Sequence, residues 1–362
     1  MFFRRTIARL LPDQPKRILL IRFGGLCEVL RATPMLVALR MRFPHAEIAW
    51  LVDARAVPLL QGHQALDRIL TARKDWNHSW SEIQVLRGRL QKFQPEITLD
   101  LNESFSGSFA AWISGAKFRI GFSGGGNSTS PRLLNNIRVA VNEQHEIQRH
   151  LRLLEPFGVC GCSVDFDLHE NEVDRIRAKE ILGHIGIGLN RHYGILDVGV
   201  SPQESPWPEE RFAELAKYLL EQWNLPSLVV WNGSAERAIA ESIVQKAENA
   251  TFLSPPLRAC ELASLIRLAT IFVGADGPAL GISSAVETPC IGLFGATSAS
   301  QVGPYGQLCR SIQTDMTAPS LERIDTSIVC DECDTLLSAI LEPAKKSILE
   351  FKKPIRVIRP AA

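Results

Sequence analysis

Short apolar runs alternate along this chain with longer stretches in which apolar residues recur at the helical period. Residues 17–23 (RILLIRF) predict a buried parallel strand broken by Gly24-Gly25, then a helix with Thr33-Pro34 as cap and first helical residue. Strands are expected at 47–52 (EIAWLV), 67–70, 96–101 (EITLDL) and 118–122 (FRIGF), with helices at 80–93 and 104–114. Helical periods return at 143–157 and 170–185. The pattern then restarts, with strands at 194–200 (GILDVGV), 227–231, 271–274 and 290–294 (CIGLF). Helices are expected beside them at 208–222, 235–248, 259–269 and 277–286, and a last one at 334–351.

Alternating strands and helices imply right-handed βαβ units and parallel sheets. The expected fold class is therefore α/β, with two Rossmann-like, doubly wound domains facing a central cleft. The domain plan is a basic extension at 1–16, a first domain at 17–182, a linker at 183–192 (from GHIGIGLN) and a second domain at 193–345. A C-terminal tail follows at 346–362, with a return to the first domain as one course for it. Ligands in such sheets bind beyond the carboxyl ends of the strands.

Composition narrows the function. With 46% hydrophobic and 22% charged residues the chain can bury real cores, and a net charge of +1 gives no global attraction to nucleic acid. The tryptophans form no row on which bases could stack, so nucleic acid is not an expected partner. Eight scattered cysteines suggest reduced thiols in the cytoplasm. Cys330 and Cys333 form a lone C-x-x-C which, with Cys309, offers three thiolates; a structural metal needs a fourth ligand, so no metal is expected. The N-terminus sets Arg4, Arg5, Arg9, Lys16 and Arg17 against Asp13, with Phe2, Phe3, Ile7, Leu10 and Leu11 at helical spacing. It reads either as a solvated extension or as a basic amphipathic helix lying peripherally on an anionic membrane face.

The densest candidate chemistry is in 274–306 (GADGPALGISSAVETPCIGLFGATSASQVGPYG), which reads as strand, turn, small-residue helix, strand, turn. Asp276-Gly277-Pro278 opens a helix whose N-terminal amides and partial positive charge suit a diphosphate, and Gly295-Ala296-Thr297 adds further amides. Tight helix–sheet packing alone would call for the same small residues. The loop 123–136 (SGGGNSTSPRLLNN) is Gly-rich but lacks the strand-then-helix context of a phosphate cradle.

This segment resembles the signature of glycosyltransferase family 9, the ADP-heptose:lipopolysaccharide heptosyltransferases. Asp276, Thr288-Pro289, Leu293-Phe294-Gly295, Thr297 and Gly303-Pro304-Tyr305-Gly306 match in ungapped register. Three further stretches agree in order and spacing: 17–30 (RILLIRFGGLCEVL), 205–212 (SPWPEERF) and 232–236 (NGSAE). The resemblance covers about residues 17–345 and implies the two-domain GT-B architecture, without a cofactor. The implied donor is a nucleotide-sugar, ADP-heptose first, and the implied acceptor a lipid-linked or lipopolysaccharide-type glycan. By the same resemblance Glu28 would be the catalytic base. Ser201, Ser205, Asp276, Gly277, Pro278 and Gly281 would hold the diphosphate side of the donor, and Glu236 its ribose. Arg22, Gly24 and Gly25 would face the acceptor.

The departures from the family pattern are specific. Cys27-Glu28 stands where the family has Gly-Asp, so the base carries one extra methylene. Ser205 replaces a lysine, Gly277 a threonine and Gly281 a histidine. One cation, one hydroxyl and one imidazole are therefore absent where leaving-group charge develops. Three functions are compatible with this: an inverting heptosyltransferase, an impaired relative that binds nucleotide-sugar or glycan as a scaffold in envelope glycan synthesis, and a GT-B enzyme with another donor.

Overall fold

The computed structural model describes residues 11–123, 134–188, 191–199 and 205–341, together with the backbone of 355–358. The chain forms two compact units, Met1–His169 and Glu170–Ala362. The first carries a parallel six-stranded sheet: β1 (Arg17–Ile21), β2 (Glu47–Asp53), β3 (Arg68–Ala72), β4 (Ile97–Asp100), β5 (Phe118–Phe122) and β6 (Ile137–Val139), in the order β3-β2-β1-β4-β5-β6. Its helices are α1 (Leu26–Leu30), α2 (Thr33–Arg42), α3 (Val57–Leu60), α4 (Trp80–Phe93), α5 (Phe105–Ile113) and α6 (Glu146–Arg152).

The second unit carries a parallel seven-stranded sheet: β7 (Gly194–Asp197), β8 (Ser227–Val230), β9 (Thr251–Leu253), β10 (Ile271–Ala275), β11 (Cys290–Phe294), β12 (Cys309–Thr314) and β13 (Ile355–Ile358), in the order β13-β12-β11-β10-β7-β8-β9. Its helices are α7 (Glu172–His184), α8 (Glu209–Trp223), α9 (Ser234–Ala247), α10 (Ala259–Leu268), α11 (Pro278–Ala285), α12 (Ala299–Val302) and α13 (Thr326–Leu341).

Central strands read as continuous apolar runs because helices cover both faces of such a sheet. Ile18, Leu19, Leu20 and Ile21 are fully buried, as are Ile271, Phe272 and Val273. Each sheet has one place where strand order reverses. In the first, β2 and β3 lie to one side of β1 and β4–β6 to the other, with Ile21 level with Asp100. In the second, the reversal falls between β7 and β10, with Asp197 level with Gly274. The loops leaving neighbouring strands diverge there and open a crevice beyond the carboxyl ends.

Several expectations need correction. Helix α7, expected to end the first domain, belongs to the second unit: its Asp174 is ion-paired with Arg258 at the start of α10. The part of the tail at Ile355–Ile358 pairs with β12 and extends the second sheet instead of returning to the first domain. The last helix starts at Thr326. Thr33 is not a cap: α2 is capped by Ala32, Pro34 follows in the first turn, and the Thr33 hydroxyl donates to Leu30 O at 2.8 Å. The helical period at 143–157 resolves into α6 and a separate short turn, Glu155–Phe157. Residues 1–10 of the basic extension and 124–133 of the Gly-rich loop lie outside the described residues.

Candidate functional site

In the first unit the chain leaves β1 through Arg22–Gly25 and enters α1, a short helix whose first turn contains Glu28. Gly24 has φ +131°, a value that disfavours any residue with a Cβ. A Cβ there would also lie 3.1 Å from both Cβ and Cγ of Glu28. At Gly25 a Cβ would come 3.3 Å from Glu28 Oε2. The half-buried Glu28 side chain therefore lies against the Gly24-Gly25 backbone, and the two glycines fit as the floor under a carboxylate.

The loop is fixed from below by polar groups that the sequence reading did not single out. Asn102 Oδ1 accepts from the Phe23 amide at 3.0 Å, and Asn102 Nδ2 donates to Ile21 O at 3.1 Å. Asp100 ends β4 almost fully buried, accepting from the Asn102 amide and from Asn135 Nδ2. Burial raises its carboxyl to about 7 against the opposing effect of those donors. Space is tight here: a Cβ on Gly107 would meet Asp100 Oδ1 at 2.3 Å.

Arg22, expected on the acceptor side, is largely buried. Its guanidinium is ion-paired with Glu146, the first residue of α6, and only 14% of its side chain is exposed. Arg31, at the far end of α1, binds the other oxygen of the same carboxylate through Nε. Burial would raise the Glu146 carboxyl, but the charges of Arg22 and Arg31 overcome it and hold it below its ordinary range. His150, one turn along α6, is pushed down to about 3 by burial and then by the charge of Arg22; its Nδ1 lies 3.2 Å from Arg31 O. It is a neutral packing group, and Glu146 spans both ends of the loop that carries Glu28.

In the second unit the crevice is flanked by the segment after β7 and the turn after β10. Ser201 lies outside the described residues. Ser205 is exposed. The chain behind it is anchored by Trp207, which is buried, stacks edge-on against Phe212 and donates its indole N–H to Ile324 O at 2.9 Å.

Asp276, half-buried, donates its amide to Leu293 O at 3.2 Å and opens the turn into α11. Gly277 caps that helix in an extended conformation and Pro278 is its first residue. Pro278 has no N–H, and the Gly281 amide already bonds Gly277 O. The amides that helix geometry leaves for a ligand are therefore those of Ala279 and Leu280. A Cβ on Gly277 would meet only Ala275 O, at 3.8 Å, so the missing threonine leaves open space. Thr288, part of the matched signature, is structural: it is buried and donates to Ile266 O at 2.7 Å. The turn after β11 is held by buried Gln313, whose Nε2 donates to Gly295 O at 2.9 Å and whose Oε1 accepts from the Ala299 amide.

Glu236 sits in the first turn of α9, where Oε2 accepts from the Asn232 amide at 2.6 Å. Beneath it Asp197 ends β7, buried and accepting from the Gly199 amide. Burial raises Asp197 to about 7, and the charge of Glu236 adds to the rise. Sequence reasoning missed Asp100, Asp197 and Gln313. The signal for the two acids was present: each is the last residue of a strand run, EITLD and GILD. Gln313 gave no signal, because β12 (CRSIQT) reads as a polar loop until its complete burial is seen.

Cys309 lies level with Cys290 on the neighbouring strand, whereas Cys330 and Cys333 are packed in the core with α13. Among the described residues no group of three or more His, Cys, Asp or Glu side chains is placed to hold a metal.

The family described as "Glycosyltransferase family 9 (heptosyltransferase)" matches residues 83–327. Lipopolysaccharide heptosyltransferase 1 of Pseudomonas aeruginosa is 24% identical over 323 residues, covering 86% of this chain and 87% of that protein. Among solved structures, the family 9 glycosyl transferase from Veillonella parvula superposes with a TM-score of 0.78 at 20% identity, over 91% of this chain and 99% of that one. The E. coli heptosyltransferase WaaC with ADP gives 0.74 at 16% identity, over 88% and 99%. The two Rossmann-like domains read from the sequence are thus the GT-B fold of these structures.

Proposed function

The chain belongs to glycosyltransferase family 9, and from that premise we propose that it is an inverting transferase moving a heptose from ADP-heptose to a lipopolysaccharide-core acceptor. The observation that carries the proposal is the Glu28 carboxylate seated on the Gly24-Gly25 backbone at the strand-order reversal of the first sheet. Relatives of this family are lipopolysaccharide heptosyltransferases, and one solved neighbour holds ADP.

In this mechanism Glu28 takes the proton of the acceptor hydroxyl as that oxygen attacks the anomeric carbon. The new glycosidic bond forms as the bond from that carbon to the diphosphate oxygen breaks, and ADP leaves with the electron pair. One displacement inverts the anomeric centre and needs no covalent intermediate. The Ala279 and Leu280 amides and the positive end of α11 receive charge developing on the diphosphate, with Ser205, Asp276 and, by the family resemblance, Ser201 beside them. Glu236, held toward Asn232 through Oε2, offers Oε1 to a ribose hydroxyl. Among the described residues no helix is long and apolar enough to cross a membrane. In this reading, by the family resemblance, the enzyme works at the cytoplasmic face and meets its acceptor peripherally.

The replacements at Ser205, Gly277 and Gly281 leave one alternative to be tested, in which the site binds nucleotide-sugar without turnover. Release of ADP from ADP-heptose in the presence of a lipopolysaccharide acceptor decides between the two. Turnover abolished in Glu28→Gln and retained in Glu28→Asp supports transfer. Calorimetric ADP binding that is lost in Glu236→Ala, without turnover in the unaltered protein, supports the binding role. No nucleotide binding at all sinks both.

A further inference from the structure

An aromatic array runs from the candidate loop to the surface of the first unit. Phe23, the residue before Gly24, lies 6.1 Å from the Trp76 ring, and Trp76 stacks on Phe109 at 5.6 Å with 4° between planes. Phe109 stacks in turn on Phe105 at 5.3 Å and on Trp112 at 6.0 Å. Phe105, Phe109 and Trp112 are spaced by one and two turns and form a single stripe on α5. The inner rings are buried or half-buried, but the outer ones are not: Phe105 is 45% and Trp112 53% exposed. On the neighbouring helix α4, Trp80 is 74% and Val85 49% exposed.

We propose that the exposed aromatic faces of α4 and α5 seat this protein on an anionic lipid surface. The inference rests on the reading above in one respect, that the acceptor is lipid-borne. Trp and Phe suit the boundary between headgroups and acyl chains, where a ring is half in hydrocarbon and half wet. Clusters of exposed large apolar side chains mark interaction sites more often than accident. Charge complementarity selects the lipid surface. Residues 73–93 carry five basic side chains (Arg73, Lys74, Arg87, Arg89, Lys92) against two acidic ones (Asp75, Glu82), and each basic residue is exposed. Apolar insertion and headgroup attraction then act together, which stable peripheral binding needs. Since the array begins at Phe23, the same surface leads to the loop that carries Glu28.

Pelleting the full chain with vesicles tests this without any turnover. Binding to phosphatidylglycerol–phosphatidylethanolamine vesicles and much weaker binding to phosphatidylcholine vesicles is expected. Trp80→Ala with Trp112→Ala should lower the bound fraction roughly tenfold, and Arg87→Glu with Lys92→Glu should abolish the preference for anionic lipid. ADP binding by calorimetry should be unchanged in both pairs, which shows that the protein is folded. The proposal is overturned if the tryptophan pair leaves vesicle binding intact, or if removal of residues 1–10 alone abolishes it. It is equally overturned if the tryptophan pair converts a dimer to a monomer, or removes binding of delipidated core oligosaccharide, while vesicle binding stays unchanged. Absence of ADP binding in the unaltered protein would instead count against the donor reading and leave the vesicle result to stand on its own.

Discussion

Glu146 and Arg31 are 115 positions apart in sequence, yet the carboxylate of one accepts from the guanidinium Nε of the other. The second carboxylate oxygen takes Arg22, so one residue of α6 holds both the entry and the exit of the loop and helix that carry Glu28. Breaking a largely buried pair by removing one partner leaves uncompensated charge. Glu146→Gln should therefore lower stability by about 3 kcal/mol in urea unfolding. It should reduce kcat for heptosyl transfer by ~10- to 100-fold with ADP affinity unchanged, and Glu146→Asp should recover part of the rate. Weakened ADP binding would show that the damage is general.

Gly24 is the backbone counterpart of that clamp. An alanine there meets both an unfavourable φ and the Glu28 side chain. Gly24→Ala should cut turnover by about 100-fold by displacing the base. Gly25→Ala, at φ −82° and touching only Glu28 Oε2 at 3.3 Å, should cost less. Equal losses in steady-state assays would argue against Glu28 as the base.

Ser205 offers a gain-of-function test. It is exposed and stands where the family pattern has a lysine. Ser205→Lys should tighten ADP binding by about tenfold, close to 1.4 kcal/mol, and the gain should shrink as ionic strength rises. A calorimetric affinity that does not move with this substitution would place the diphosphate away from Ser205.

Asp100 makes stability depend on pH. Its carboxyl titrates near 3.8 ordinarily and near 7 in the fold, mainly through burial. Between those values the folded chain keeps a proton that the unfolded chain has released, so the contribution of this carboxyl to stability falls as pH rises and levels off above about 7. The shift of about 3 units corresponds to about 4 kcal/mol. Asp100→Asn should therefore flatten the fall when urea unfolding is compared at about pH 5 and about pH 7.5. Asp197→Asn, with the same direction of shift, should act likewise. Because buried His150, pushed down to about 3, contributes in the opposite direction over the same window, the test is the difference between variants: an unchanged pH slope in Asp100→Asn would refute the assignment.

Much of this was legible in the order of residues. Short apolar runs such as RILLI and CIGLF, bounded by turn residues, read as strands buried on both faces, and their alternation with helical periods implies parallel sheets. Gly24-Gly25 and Asp276-Gly277-Pro278 were visible as turns because glycine and proline act locally. β6, β9 and β12 were not visible: two are three residues long, and the third is polar in sequence and wholly buried in fact. The place of α7 was also hidden, since the Asp174–Arg258 pair joins groups 84 residues apart.

The sequence by itself determined the two α/β units, the positions of the candidate turns and the family resemblance, because local periodicity and turn chemistry need no distant partner. Only the tertiary structure decided what the polar residues do. It paired Arg22 with Glu146, made Asp100 and Asp197 buried acids, and left Trp80 and Trp112 outside the core. The sign and strength of a charge's effect, and the burial of a ring, depend on neighbours brought in from far along the chain.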